Sequence, residues 1–261
     1  MHDLEAFCNV EMRWTVKNLP TRDDMGRVAA EDLGALVQEL QKKQEWVNMI
    51  FAAAPSQLDF LKCFVEDKRV DFTHIRAFHM DEYIGLKQDA PQGFANFLKR
   101  HLFELAPFGE VYTLDSTNEP NNECARYTEL LKTYPVDIVV MGIGENGHIA
   151  FNDPHEADFN DPAMVKIVSL DEMCRQQQVN DKCFDAIEEV PTHALTLTCP
   201  TLANAKYHFC IVPTKLKAQA VYNTVCGPVT HDCPATVLRL CKHANLYLDN
   251  DSASMLPKAF G

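Results

Sequence analysis

Three groups of residues in this chain have the types and spacing to move protons or to hold an anion. The first is Phe78-His79-Met80-Asp81-Glu82-Tyr83-Ile84-Gly85-Leu86, where two adjacent carboxylates close a short apolar run. At a strand end, one such side chain can enter a crevice while its neighbour faces the scaffold. A carboxylate in a crevice can abstract a proton beside a carbonyl, provided burial brings its pKa nearer neutrality. The plainer alternative for Asp81 and Glu82 is a solvated acidic turn.

The second group is Met141-Gly142-Ile143-Gly144-Glu145-Asn146-Gly147-His148-Ile149-Ala150-Phe151-Asn152-Asp153-Pro154. Its glycines let the backbone pass close to a ligand or adopt positive φ. His148 is the one side chain here that exchanges a proton near pH 7 without a shifted pKa. Asp153, five residues on, is placed to reach back and orient or charge the imidazole. A dinucleotide site is excluded: Gly-x-Gly-x-x-Gly is present in outline, but no helical pattern opens after Gly147. His148, His155 and Glu156 could ligate a metal, yet their spacing matches no known site, and no metal or other cofactor is expected.

The third group is cationic and dispersed. Arg175 lies in Asp171-Glu172-Met173-Cys174-Arg175-Gln176-Gln177-Gln178, and Lys217 in the first turn of an expected helix from Thr214. Either could be an ordinary surface cation. A cation beside the free N–H groups of a helix start makes a phosphate site, and the Pro55-Ser56 start supplies similar N–H groups and a hydroxyl.

The elements that must position these groups alternate along the chain. Apolar positions from Met25 to Leu40 follow helical spacing, with Thr21 and Asp24 as a capped start. Val47 to Ala54 reads as a buried strand ended by Pro55, after which Ser56 is expected to cap a helix carrying Leu58, Leu61 and Val65. Further strands are expected at 74–79, 136–141, 194–198, 207–212 and 245–248. Helices are expected around 94–102, 121–133, 214–225 and 234–243. Uniformly apolar strands between helices indicate an α/β chain: a Rossmann-like, doubly wound, mainly parallel sheet with helices on both faces. No repeat or linker divides residues 1–261, so a single domain is expected. In such sheets ligands bind beyond the carboxyl ends of the strands, where the three groups fall.

With 37 acidic and 24 basic side chains the formal net charge is −13, which argues against a nucleic-acid or anionic-membrane partner. No apolar run is long enough for a membrane span, and the segment from Met1 to Val10 lacks a signal-peptide layout. The ten cysteines are scattered without a Cys-x-x-Cys, which reads as mostly buried free thiols in a reducing cytoplasm.

The blocks Met80 to Leu86 and Gly144 to Pro154 closely resemble the two signatures of glucosamine-6-phosphate deaminases. Lys217-Ala218-x-Ala220-Val221, Gly227-Pro228-Val229-Thr230 and Cys233-Pro234-Ala235-Thr236 extend the resemblance in order, from about Asn48 to Asp249. That family isomerises and deaminates glucosamine 6-phosphate to fructose 6-phosphate and ammonia without a metal. The resemblance implies that Asp81 moves a proton from C2 to C1 through an enolamine. It implies that His148, supported by Asp153, opens the sugar ring, that Gly142 lends backbone to the site, and that Arg175 and Lys217 grip the phosphate.

Three positions depart from the family pattern. Asn146 stands where well-known members have Asp, so a relay leans more on Asp153. Asp153 replaces the commoner Glu. The glycine-containing phosphate loop is replaced by Ala52-Ala53-Ala54-Pro55-Ser56, whose Cβ atoms occupy space that glycine leaves open. Ala54 and Ser56 are the expected contacts there. The partner expected is a phosphorylated amino sugar, with homo-oligomerisation open. The alternatives are a galactosamine-6-phosphate isomerase/deaminase, a 6-phosphogluconolactonase-like hydrolase, and a non-catalytic sugar-phosphate sensor. Because the substrate is itself an anion, recognition must come from local cations rather than from the overall charge.

Overall fold

Strands that are apolar on both sides need cover on both faces. The computed structural model, which describes residues 14–257, meets this need with one large sheet. The expectation made for Met1 to Val10, and Cys8 with it, lies outside the described residues.

In chain order the elements are β1 (Trp14–Leu19), α1 (Arg22–Gln41), β2 (Val47–Phe51), α2 (Leu58–Val65), β3 (Ile75–His79), β4 (Asp81–Tyr83) and α3 (Phe94–Leu98). There follow β5 (Glu110–Tyr112), α4 (Pro120–Thr133), β6 (Ile138–Met141), β7 (Val165–Ser169) and α5 (Glu172–Asn180). The chain closes with β8 (His193–Leu197), α6 (Cys199–Ala203), β9 (Tyr207–Val212), α7 (Ala218–Cys226) and β10 (Ala244–Asp249). Seven strands pair in parallel in the order β1-β10-β9-β6-β2-β3-β5. From β2 the chain winds outward through β3 to β5, and from β6 it winds the other way. The direction therefore reverses between β2 and β6, which is where an open α/β sheet leaves a crevice.

Alternation along the strands divides the core. Met49 and Phe51 of β2, with Ile138 and Val140 of β6, pack with α1 and α2 on one face. Ile50, Val139 and Met141 pack with α4, α6 and α7 on the other. Thr21 caps α1 as its position suggests, accepting the Asp24 N–H at 3.1 Å. Met25, Ala29, Leu33, Val37 and Leu40 then bury one stripe of that helix.

The structure corrects several local expectations. The strand expected at 194–198 does not join the parallel sheet. As β8 it pairs antiparallel with both β4 and β7 in a separate three-stranded sheet. The strands β1, β4, β5 and β7 and the helix α5 were not anticipated: all four strands are short or half-exposed, and α5 is rich in Gln. Ser56 does not cap a helix. Residues Pro55–Gln57 form a 3₁₀ turn without a side-chain cap, and the Ser56 hydroxyl instead accepts from Gln57 Nε2 at 3.2 Å. Lys217 sits in a 3₁₀ turn that precedes α7, and residues 234–240 are 3₁₀ rather than α.

The nine cysteines among the described residues are all free, four of them buried and Cys226 exposed. Among the described residues no helix is long and apolar enough to cross a membrane.

Candidate active site

Four strand ends of the main sheet open onto one cleft of about 820 Å³, its mouth included. After β2 comes Ala52 to Ser56, after β3 comes Asp81, after β6 come Gly142, Gly144 and His148, and after β9 come Thr214 and Lys217. Members of all three sequence groups thus meet, Arg175 excepted, because parallel strands deliver all their carboxyl ends to one edge.

The antiparallel sheet determines what the Asp81-Glu82 pair does. Successive residues of β4 point to opposite sides. Asp81 lines the cleft, while Glu82 turns into the scaffold and accepts the N–H groups of Tyr83, Phe94 and Ala95 at 2.8–3.0 Å. Both carboxyl groups are buried, so neither belongs to a solvated turn. Burial, and then the neighbouring Glu82, hold the Asp81 carboxyl well above the usual carboxylate range. Burial also pushes Glu82 up, to about 7, against the opposing pull of the three N–H donors. Asp81 is therefore a carboxylate that accepts a proton more readily than an exposed one.

The loop after β6 folds back on itself through Gly144 N–H to His148 O at 2.9 Å and Gly147 N–H to Gly144 O at 3.0 Å. Two glycines are required by this geometry. A Cβ at Gly144 would meet the imidazole of His148 at 2.2 Å, and Gly147 has φ +86°. No helix follows Gly147. Asn152 ties the loop to the second sheet by donating to Leu197 O at 2.8 Å.

His148 is buried, and its Nδ1 lies 2.9 Å from Asp153 Oδ1 as an ion-pair contact rather than an aligned hydrogen bond. Asp153 is fully buried. Burial works to raise its pKa, but His148, Asn146 and the Asp171 N–H together hold it below the ordinary value. Asn146, expected beside the imidazole, accepts the His148 backbone N–H at 3.0 Å and donates to Asp153 Oδ1 at 2.9 Å.

Lys217 lines the cleft and is only 6% exposed. Its ammonium group has no hydrogen-bond partner among the described residues. Burial lowers its pKa, opposed by the more distant charges of Asp181 and Glu145. A buried cation without a partner is costly unless a ligand anion completes it.

Arg175 is not brought to the cleft. From α5 its guanidinium donates to Ile187 O at 2.6 Å and to Val190 O at 3.0 Å, stapling the turn before β8. Position in sequence did not indicate that these carbonyls lie within its reach.

The cleft has further lining residues that sequence reasoning missed. Arg22, at the start of α1, contacts Asp59 and donates to Pro55 O at 2.6 Å, so it braces the alanine loop. Gln57 does not line the cleft but supports its wall: fully buried, it donates to the Ser56 hydroxyl at 3.2 Å and to Ile211 O at 3.1 Å. Thr214 has φ +81°, unusual for a β-branched residue, and Asp249 holds its N–H at 3.0 and 3.2 Å. Alternation and motif spacing carry no signal for any of the three, since each acts through a contact distant in sequence.

Two sets among the described residues could hold a metal: His148, Asp153 and Cys174, or Asp153, His155 and Asp171. Neither is the set of His148, His155 and Glu156 that the sequence suggested. Both draw on Asp153, whose oxygens already meet His148, Asn146 and the Asp171 N–H, so an ion would have to displace those contacts.

A proton-accepting carboxylate, an imidazole backed by a carboxylate and an unpartnered cation suit proton transfer on a small anionic carbonyl compound or sugar. Comparison with known proteins agrees. Residues 20–248 match the model of a family described as glucosamine-6-phosphate isomerases/6-phosphogluconolactonase. A glucosamine-6-phosphate deaminase of Exiguobacterium sibiricum is 34% identical over 246 residues, 94% of this chain and 93% of the relative. The solved structure of a monomeric glucosamine-6-phosphate deaminase superposes with a TM-score of 0.85 at 25% identity, covering 92% of this chain and 99% of that one. A 6-phosphogluconolactonase of Thermotoga maritima shares the fold, with a TM-score of 0.74 at 17% identity over 90% of this chain and 99% of its own.

Proposed function

The chain belongs to the family of glucosamine-6-phosphate isomerases and 6-phosphogluconolactonases, and from that premise we propose that it converts glucosamine 6-phosphate and water to fructose 6-phosphate and ammonia. The observation that carries this reading is the meeting of Asp81, the His148–Asp153 pair and the unpartnered Lys217 in one cleft.

In this reading His148 shuttles the proton that opens the pyranose ring, and Asp153 stabilises the imidazolium that forms. Asp81 then takes the C2 proton of the open-chain aldehyde and returns it at C1, through an enolamine. The resulting C2 imine adds water and expels ammonia, leaving the ketose. Lys217 holds the phosphate, with Gly142, Ala54 and Ser56 shaping the wall around the sugar. Arg175 supports the turn before β8 and is not assigned to the phosphate. The free thiols support a reducing compartment, which we take to be the cytoplasm.

The test is to incubate pure protein with glucosamine 6-phosphate and to assay fructose 6-phosphate and ammonia in equal amounts. Turnover of galactosamine 6-phosphate alone would keep the chemistry and change the epimer. Release of no ammonia from either hexosamine phosphate would overturn the proposal. Hydrolysis of 6-phosphogluconolactone in the same assay would then identify the chain as a lactonase.

A further inference from the structure

The polar groups behind His148 form a closed circuit drawn from two loops and the start of α5. Asn146 accepts the His148 backbone N–H through Oδ1 at 3.0 Å. It donates both hydrogens of Nδ2, one to Asp153 Oδ1 at 2.9 Å and one to Asp171 Oδ2 at 3.3 Å. This pattern identifies the two ends of the amide, because the reverse orientation would aim a carbonyl at two carboxylates. Asp171 donates its own backbone N–H to Asp153 Oδ2 at 3.4 Å. Its Oδ1 accepts the Cys174 N–H at 2.6 Å, which caps α5. Both oxygens of Asp153 are thus steadied, one by Asn146 and the other by Asp171.

We infer that Asp171 is a positioning residue for the His148–Asp153 pair, acting through Asn146, and that positions 146 and 171 form an interdependent amide–carboxylate couple. Asp153 and Asp171 are both acceptors, so the group between them must be a donor. The two N–H bonds of one amide meet that need without adding charge. An Asp at position 146 would instead gather three carboxylates around one imidazole. Loss of the acceptor at 171 would leave one Asn146 N–H without its partner and free the amide to rotate, and Asp153 would lose its fixed orientation. The neighbouring titratable groups are Cys174, whose thiol lies near Asp153, and His155, near both Asp153 and Asp171. The Cys174 thiol hydrogen-bonds Asp153 alone, whereas Asn146 donates to both carboxylates.

The inference rests on the deaminase reading only for its kinetic readout, and the test separates the two. Asn is itself a good helix cap, so Asp171→Asn keeps the α5 start while removing the acceptor. The expected result is a kcat about tenfold lower, with KM for glucosamine 6-phosphate within about twofold, in the range of couplings between contacting residues. Asn146→Asp should lose at least as much. The double variant, which exchanges amide and carboxylate, restores a donor–acceptor contact between 146 and 171 but not the bond to Asp153. It should therefore recover in part, losing at least about threefold less than the product of the single losses. If Asp171→Asn leaves kcat unchanged, or the double variant is as poor as the product of the single losses, the couple is refuted. Asp171→Ser, which also caps, replaces Asp171→Asn if the latter fails to fold. Imidazole ¹⁵N shifts of His148 give a readout that needs no turnover. They should move in Asp171→Asn even if the parent is inert to hexosamine phosphates, and unmoved shifts would overturn the inference.

Discussion

The two ends of the cleft are built on opposite principles. At the end proposed for proton transfer, the two carboxylates beside Asp81 and His148 are each held by several partners. Asp153 meets His148, Asn146 and the Asp171 N–H, and Glu82 gathers three backbone donors to keep β4 against α3. At the anion end the polar side chain is left open. Lys217 is buried without a partner among the described residues, Thr214 is held at positive φ by Asp249, and Ala52, Ala53 and Ala54 line the wall. The difference suits the function proposed for each end. Proton transfer requires fixed geometry before substrate arrives, whereas a cation intended for phosphate must not be satisfied by the protein first.

This contrast can be broken in order of decreasing effect. Asp81→Asn should lower kcat by about 10²–10⁴ while leaving phosphosugar affinity close to that of the parent, by stopped turnover assay and calorimetry. Retained turnover would remove Asp81 from its role. The same carboxylate should shape the pH profile. As a base it must be ionised, and its pKa is raised, so kcat/KM should fall on acidification with a midpoint well above the ordinary carboxylate value of about 3.9. The stability effect has the opposite sense. Because the folded-state pKa is the higher one, Asp81 favours folding fully below about pH 3.9, and that contribution is lost as pH rises through the raised value. Asp81→Asn should therefore melt at a higher temperature than the parent at neutral pH.

At the anion end, Lys217→Ala should raise KM roughly 10–100-fold, the scale of one charge-assisted hydrogen bond, with a smaller effect on kcat. An unchanged affinity would show that the phosphate lies elsewhere. The smallest expected effect is that of Thr214→Gly. Relief of positive φ in a β-branched residue should stabilise the fold by about 1 kcal/mol, a gain of roughly 2–4 °C in Tm by calorimetry. A loss of stability would mean that the Thr214 side chain contributes more than its backbone strain costs.

The same contrast separates what could be read in the chain from what could not. The proton-transfer end was legible as chemistry, since Asp81, Asn146, His148 and Asp153 stand close together in two motifs and all four reach the site or its support. The anion end was read less well, because cations do not announce their partners. Lys217 was placed in the site, but Arg175 turned to the carbonyls of Ile187 and Val190, and Arg22 reached the cleft unforeseen. The fold divides similarly. Long apolar strands such as Tyr207–Val212 were read to the residue, while β4, three residues long, has no periodicity to detect.

By itself, then, the order of residues determined the alternation of buried strands and helices, and with it the parallel sheet whose carboxyl ends share an edge. It also determined the two motifs that follow those strands. Only the tertiary structure decided that Asp81 rather than Glu82 enters the cleft, that Asn146 serves two carboxylates, and that Lys217 rather than Arg175 lines the cleft. Burial patterns are local and repeat along the chain, so they survive in sequence. The partner of a polar group is set by whichever distant backbone the fold brings within about 3 Å.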